Sequence, residues 1–168
     1  MTIRAVTRAV VALMLTLLLT ACNRGELSTD QRKSAEDALK ALRKVEAATE
    51  AGVSFMNYQP LVIDAKAQVN EASSKLPDGE LKKELNGAAD AYADSMTVWQ
   101  AWMSGQFFKD DFSIDNRNPL VSLLMNKYQI KPETQDSLVA VYDRGKVMPL
   151  LWTESHKHIE RATKLLSE

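Results

Sequence analysis

The sequence predicts an all-α protein, an antiparallel four-helix bundle with one short extra helix. Three observations carry that prediction. Apolar residues recur at three- and four-residue steps over most of residues 30–168. Gly and Pro punctuate these stretches at short junctions, which make consecutive helices antiparallel neighbours. No period-two alternation of convincing length, internal repeat or low-complexity tract interrupts them.

Residues 1–21 stand outside that pattern. Arg4 and Arg8 precede an apolar run over residues 10–19, followed by small residues, which is the layout of a secretory signal peptide. As a helix, residues 9–19 span only about 16 Å against a hydrocarbon core of about 30 Å, so a membrane-crossing segment fails on length. Leu19-Thr20-Ala21-Cys22 closes the run. This stretch resembles the lipobox of bacterial lipoproteins, an aliphatic residue and two small residues before a cysteine. The resemblance implies cleavage before Cys22, a thioether-linked diacylglycerol on its thiol, and an N-acyl chain such as palmitate. Two or three acyl chains together hold a protein stably on a membrane, whereas one binds reversibly. Asn23, in place of the aspartate that resembles an inner-membrane retention signal, implies delivery to the outer membrane, facing the periplasm.

Cys22 is the only cysteine, so an intrachain disulfide is excluded, and a lipidated thiol is no nucleophile. Loss of Arg4 and Arg8 with the leader leaves 19 basic and 22 acidic residues, a formal charge of −3. That balance provides no electrostatic footprint for nucleic acid and no basic stripe for anionic lipid. Residues 22–29 read as lipidated N-terminus and tether, and residues 30–168 as one domain able to bury its own core.

The elements follow in order. Ser28, Thr29 or Asp30 can cap a first helix with Ala35, Leu39, Leu42, Val45 and Thr49 along one face. Gly52 suits the left-handed position that ends it, and Ser54 can cap the next, with Val53 and Tyr58 at staple positions. Helix two carries Val62, Ile63, Val69 and Leu76, with Pro60 near its start. Leu76-Pro77-Asp78-Gly79 turns the chain, Asp78 offering a cap for a third helix over residues 80–104. Its stripe is Leu81, Leu85, Ala88, Tyr92, Met96, Trp99 and Met103, and Gly87 within it suggests close approach of a neighbour. The pattern breaks over residues 105–118. Asn118-Pro119 then opens a short helix, 120–128, with Leu120, Leu123, Leu124 and Tyr128 apolar. A last helical region over residues 133–166 is interrupted at Gly145 and Pro149.

Catalytic patterns do not come together: there is no H-E-x-x-H, G-x-S-x-G or P-loop, and neither copy of the Glu-x-x-His of di-iron bundles. The reading is therefore non-enzymatic, with no required cofactor. His156 and His158 are two apart and point about 200° away from each other on a helix, which makes them weak metal candidates. Glu154 with His158, and His156 with Glu160, share faces and suit surface ion pairs. Tyr92, Trp99, Trp102 and Trp152 are candidates to line a pocket between helices, although large aromatics at helical spacing are commonly core. Haem held by one Met (Met56, Met96 or Met103) and His156 is a further alternative, without the covalent attachment motif. Phe107, Phe108 and Phe112 around Asp110 and Asp111 form the best candidate for a partner-binding loop. The expectation is thus a membrane-anchored, periplasm-facing helical module that binds a protein partner in the cell envelope. The alternative is binding of a small molecule or haem between helices.

Overall fold

The computed structural model describes residues 26–104, 113–115, 119–135 and 140–168. Cys22 and the segment with Phe107, Phe108, Asp110, Asp111 and Phe112 lie outside the described residues. The elements in chain order are α1 (Thr29–Ala51), α2 (Phe55–Lys75), α3 (Glu80–Met103), β1 (Ser113–Asp115), α4 (Pro119–Lys127), β2 (Thr134–Gln135), β3 (Ala140–Asp143) and α5 (Arg144–Ser167). The long helices α1, α2, α3 and α5 form the antiparallel bundle, each packed on two neighbours in that cyclic order, and α4 is the short extra helix. Among the described residues no helix is long and apolar enough to cross a membrane.

Local chemistry sets the boundaries. Ser28 is the N-cap of α1 in a capping box, its hydroxyl accepting from Gln31 N at 3.2 Å while Gln31 Oε1 accepts from Ser28 N at 2.9 Å. Gly52, at φ 82°, ends α1 in the left-handed region. Gly79, not Asp78, is the N-cap of α3; Asp78 instead takes Lys82 Nζ at 2.9 Å. At the C-terminus of α4 a Schellman motif forms, with Ile130 N donating to Met125 O and Gln129 N to Asn126 O. Its left-handed residue is Gln129, φ 53°.

Two cores are stacked along the bundle. The larger runs between the four long helices, through Leu42, Val45, Val62, Val69, Leu85, Ala88, Ile159 and Ala162. The smaller joins Val98 of α3 to Val121, Leu124 and Met125 of α4, Ala140 and Tyr142 of β3, and Val147 and Leu151 of α5. Trp99 and Trp152 pack against both.

Several expectations need correction. The described residues between 133 and Arg144 are strand rather than helix: Thr134–Gln135 and Ser113–Asp115 flank Ala140–Asp143 in a small antiparallel sheet of order β1-β3-β2. In β3 the alternation buries Ala140 and Tyr142 on the second core, a period-two signal only four residues long. Gly145 and Pro149 accordingly lie inside α5, whose N-cap Asp143 accepts from Gly145 N at 2.7 Å. Two stripes are also displaced. Ile63 is 56% exposed on α2, and on α4 Leu120 and Leu123 face outward while Val121, Leu124 and Met125 are buried. On α3, Met103 is exposed. The sequence places an apolar residue on a helix, but a neighbour must exist on that side to cover it.

Candidate functional site

The chain reverses at two poles. The beginnings of α1 and α3 and the ends of α2 and α5 share one pole; the opposite pole holds the α1–α2 junction, the end of α3, the small sheet, α4 and the start of α5. Near that second pole Tyr58 is fully buried and forms the hub of an aromatic cluster. Its ring lies 5.5 Å from Trp99, 6.2 Å from Trp152 and 6.5 Å, edge-on, from Tyr92. Phe55 adds a tilted contact with Trp99 at 5.6 Å. The Tyr58 hydroxyl meets Ser95 Oγ at 2.5 Å and donates to Tyr92 O at 3.2 Å. Burial pushes the Tyr58 phenol above its ordinary range, with Ser95 and the Trp152 indole N–H opposing. Trp152 Nε1 is itself buried and has no hydrogen-bond partner among the described residues. Of the four aromatics expected to line a pocket, the structure thus brings Tyr92, Trp99 and Trp152 together around Tyr58. Trp102 goes elsewhere: it packs on the second core under the Arg144 guanidinium, 3.8 Å from the ring centroid.

The seam between α1 and α5 is bridged by polar groups. Arg32 Nη1 donates to Leu166 O at 2.6 Å, Arg43 Nη2 to Thr163 Oγ1 at 2.9 Å, and His156 Nδ1 to Glu46 Oε1 at 2.5 Å. His156 Nε2 lies 3.4 Å from Glu160, so both ring nitrogens face carboxylates. The bond to Glu46 holds the His156 pKa above its ordinary value. Beside this pair a cleft of about 310 Å³ opens between the helices, lined by Glu46, Thr49, Glu50, Tyr92, Pro149, Trp152, Thr153 and His156. Toward the first pole the same seam has a second hollow of about 560 Å³, whose floor includes Leu39 and Leu166 and whose rim carries Lys40, Arg43 and Lys44.

His158 occupies a different position. Its Nδ1 donates to Glu84 Oε2 at 2.6 Å, and Arg161 Nε donates to the same oxygen at 2.8 Å. Glu84 is 5% exposed, so this is a nearly buried carboxylate held by two cationic or polar donors. Burial opposes its ionisation, but the bonds from Arg161 and His158 outweigh burial and keep its pKa below the ordinary carboxylate value. His158 Nε2 lies 3.8 Å from Glu154. The two histidines therefore serve opposite seams, His156 on α1 and His158 on α3.

Among the described residues no group of three or more His, Cys, Asp or Glu side chains is arranged to hold a metal ion. Of the Met–His arrangements considered for haem, Met56 and Met103 are exposed, Met96 packs on the larger core, and His156 has both nitrogens on carboxylates. Sequence reasoning missed Tyr58 as hub and the Glu46 and Glu84 partners of the histidines. A helix-face reading pairs residues four apart, whereas these partners arrive from other helices more than seventy residues away. Searches of protein-family models, of curated proteins and of solved structures return no match to the chain.

Proposed function

We propose that the chain is a lipid-anchored, non-catalytic helical module that faces the periplasm from the outer membrane and presents its far pole to a protein partner in the cell envelope. The polarity of the bundle carries this reading. Six residues separate Cys22 from the first helix, a reach of about 25 Å at full extension. An anchor at Cys22 keeps the pole with Leu27 and Pro77 near the bilayer and turns the α4 pole outward. There Leu123 stands 63% exposed and Leu120 beside it is exposed as well, the kind of apolar side chains that interfaces bury. Confinement to a surface raises the local concentration for any partner there.

The test has two arms. Cys22→Ser should release the protein from the membrane fraction and abolish lipid labelling; unchanged labelling overturns the anchor. A photo-crosslinking residue at Leu123 should trap a recurrent partner in intact cells, while one at Lys82 on the near pole should not. No reproducible adduct at Leu123 refutes the partner reading. A second reading, small-molecule binding between helices, is favoured by the cleft that Tyr92, Trp152 and Glu46 share.

A further inference from the structure

We infer that the cleft between α1 and α5 binds a small organic ammonium, a cation with a compact alkyl body. This rests on the second reading above, that the bundle takes a small molecule between its helices, and names the class of ligand.

The shape and chemistry of the cleft are specific. Its volume, about 310 Å³, is at the lower end of small-molecule sites. The apolar wall is Trp152 and Pro149 of α5, with the almost fully buried Tyr92 of α3 at its base. Both aromatics are held fast: Tyr92 is 1% exposed, and Trp152 packs 6.2 Å from both Trp99 and Tyr58. A fixed aromatic face attracts a cation through its ring quadrupole, and a desolvated position strengthens that attraction.

The polar side of the cleft sets two carboxylates against one imidazole, and Glu50 is the carboxylate that His156 does not engage. Glu46 and Glu50 are one turn apart on α1 and both reach it. Their field is felt at depth, where it adds to burial in raising the Tyr92 phenol. His156 also lines the cleft and, by donating to Glu46, keeps one carboxylate oriented while Glu50 stays exposed at the mouth. Thr49 and Thr153 supply hydroxyls on either side.

Charge changes sign along the seam. Lys40, Arg43 and Lys44 surround the neighbouring hollow toward the first pole, with Glu36 the acidic group there. A cation entering the seam is repelled from that half and drawn to the half with Glu46 and Glu50. An anionic ligand meets the reverse field. Neutral apolar molecules find the same aromatic wall but gain nothing from the carboxylates, so charge is the discriminating property.

The experiment compares choline with 3,3-dimethylbutan-1-ol, its neutral isostere, titrated into the full chain in neutral detergent at pH 8 and followed by tryptophan fluorescence and calorimetry. The expected result is saturable choline binding with a Kd of roughly 1 mM or tighter, and binding of the alcohol at least about tenfold weaker. Glu50→Gln, at an exposed position, should weaken choline about tenfold without altering the circular dichroism, and Glu46→Gln should do the same. Equal binding of both probes overturns the ammonium assignment while leaving a small-molecule cleft in place. Choline binding that ignores both substitutions places the cation elsewhere and also overturns the assignment. Absence of any saturable binding by either probe removes the cleft reading itself.

Discussion

Gly87 of α3 is occupied from across the seam by the imidazole of His158 on α5: a Cβ on residue 87 would lie 2.6 Å from His158 Cε1 and 2.7 Å from Nδ1. The glycine is thus a slot for a ring, and the ring in turn holds Glu84.

Gly87→Ala should destabilise the protein although it improves helix propensity. The propensity gain is about 1 kcal/mol, whereas forcing extra volume into a packed contact costs about 1–3 kcal/mol. A net loss of about 1 kcal/mol corresponds to a fall in Tm of about 2–4 °C. In a His158→Ala background the slot is empty, and the same substitution should become stabilising. A double-mutant cycle by urea denaturation reads the reversal.

Glu84 makes stability sensitive to acid. Its folded pKa is depressed, so its contribution is complete above the unfolded carboxylate value, 4.5, and is lost as pH falls through the lower folded value. Protonation leaves Arg161 and His158 without their shared acceptor. Between pH 5 and pH 3 the wild-type protein should therefore lose stability more steeply than Glu84→Gln, as thermal melts across that range will show.

His156 works in the opposite direction. Its folded pKa is raised, so the stabilisation from the Glu46 pair is fully present below the unfolded value, 6.5, and disappears as pH rises through the folded value. The imidazole is about half exposed, and a pair of that kind contributes about 0.5 kcal/mol. His156→Gln should flatten the pH dependence of Tm on the alkaline side of neutrality, leaving the acid limb set by Glu84 intact.

Gln129 holds a left-handed conformation that glycine adopts at no steric cost. Gln129→Gly should stabilise the protein by about 0.5–1 kcal/mol, seen as a higher urea midpoint. Gly52 at φ 82° is the converse case, where no neighbour crowds a Cβ but the backbone angle alone makes Gly52→Ala costly by about 1 kcal/mol.

How much of this was legible in the sequence depends on where each signal is stored. Helix junctions are local chemistry: Gly52 and the turn at Leu76-Pro77 read directly, whereas Ser28 was one of three neighbouring residues able to cap α1. The close approach at Gly87 was also readable, but not that its visitor would be a histidine. β3 escaped because its alternation is four residues long and its partners come from both sides of α4. Ile63, Leu120 and Leu123 look like core in one dimension; only the arrangement of neighbours makes them surface. The cleft is the least legible feature, since Glu46, Tyr92 and Trp152 come from three helices and converge only when α1 and α5 close the bundle.

The first turn of α1 also does more than start a helix. Gln31 Nε2 donates to Lys75 O at the end of α2, and Arg32 Nη1 to Leu166 O at the end of α5. Two consecutive side chains thereby lash the carbonyl ends of both neighbouring helices to the point where the chain enters the bundle. Tension arriving from the residues before Leu27 does not peel α1 away alone. A load at this end is shared with α2 through the brace at Lys75 and with α5 through the brace at Leu166.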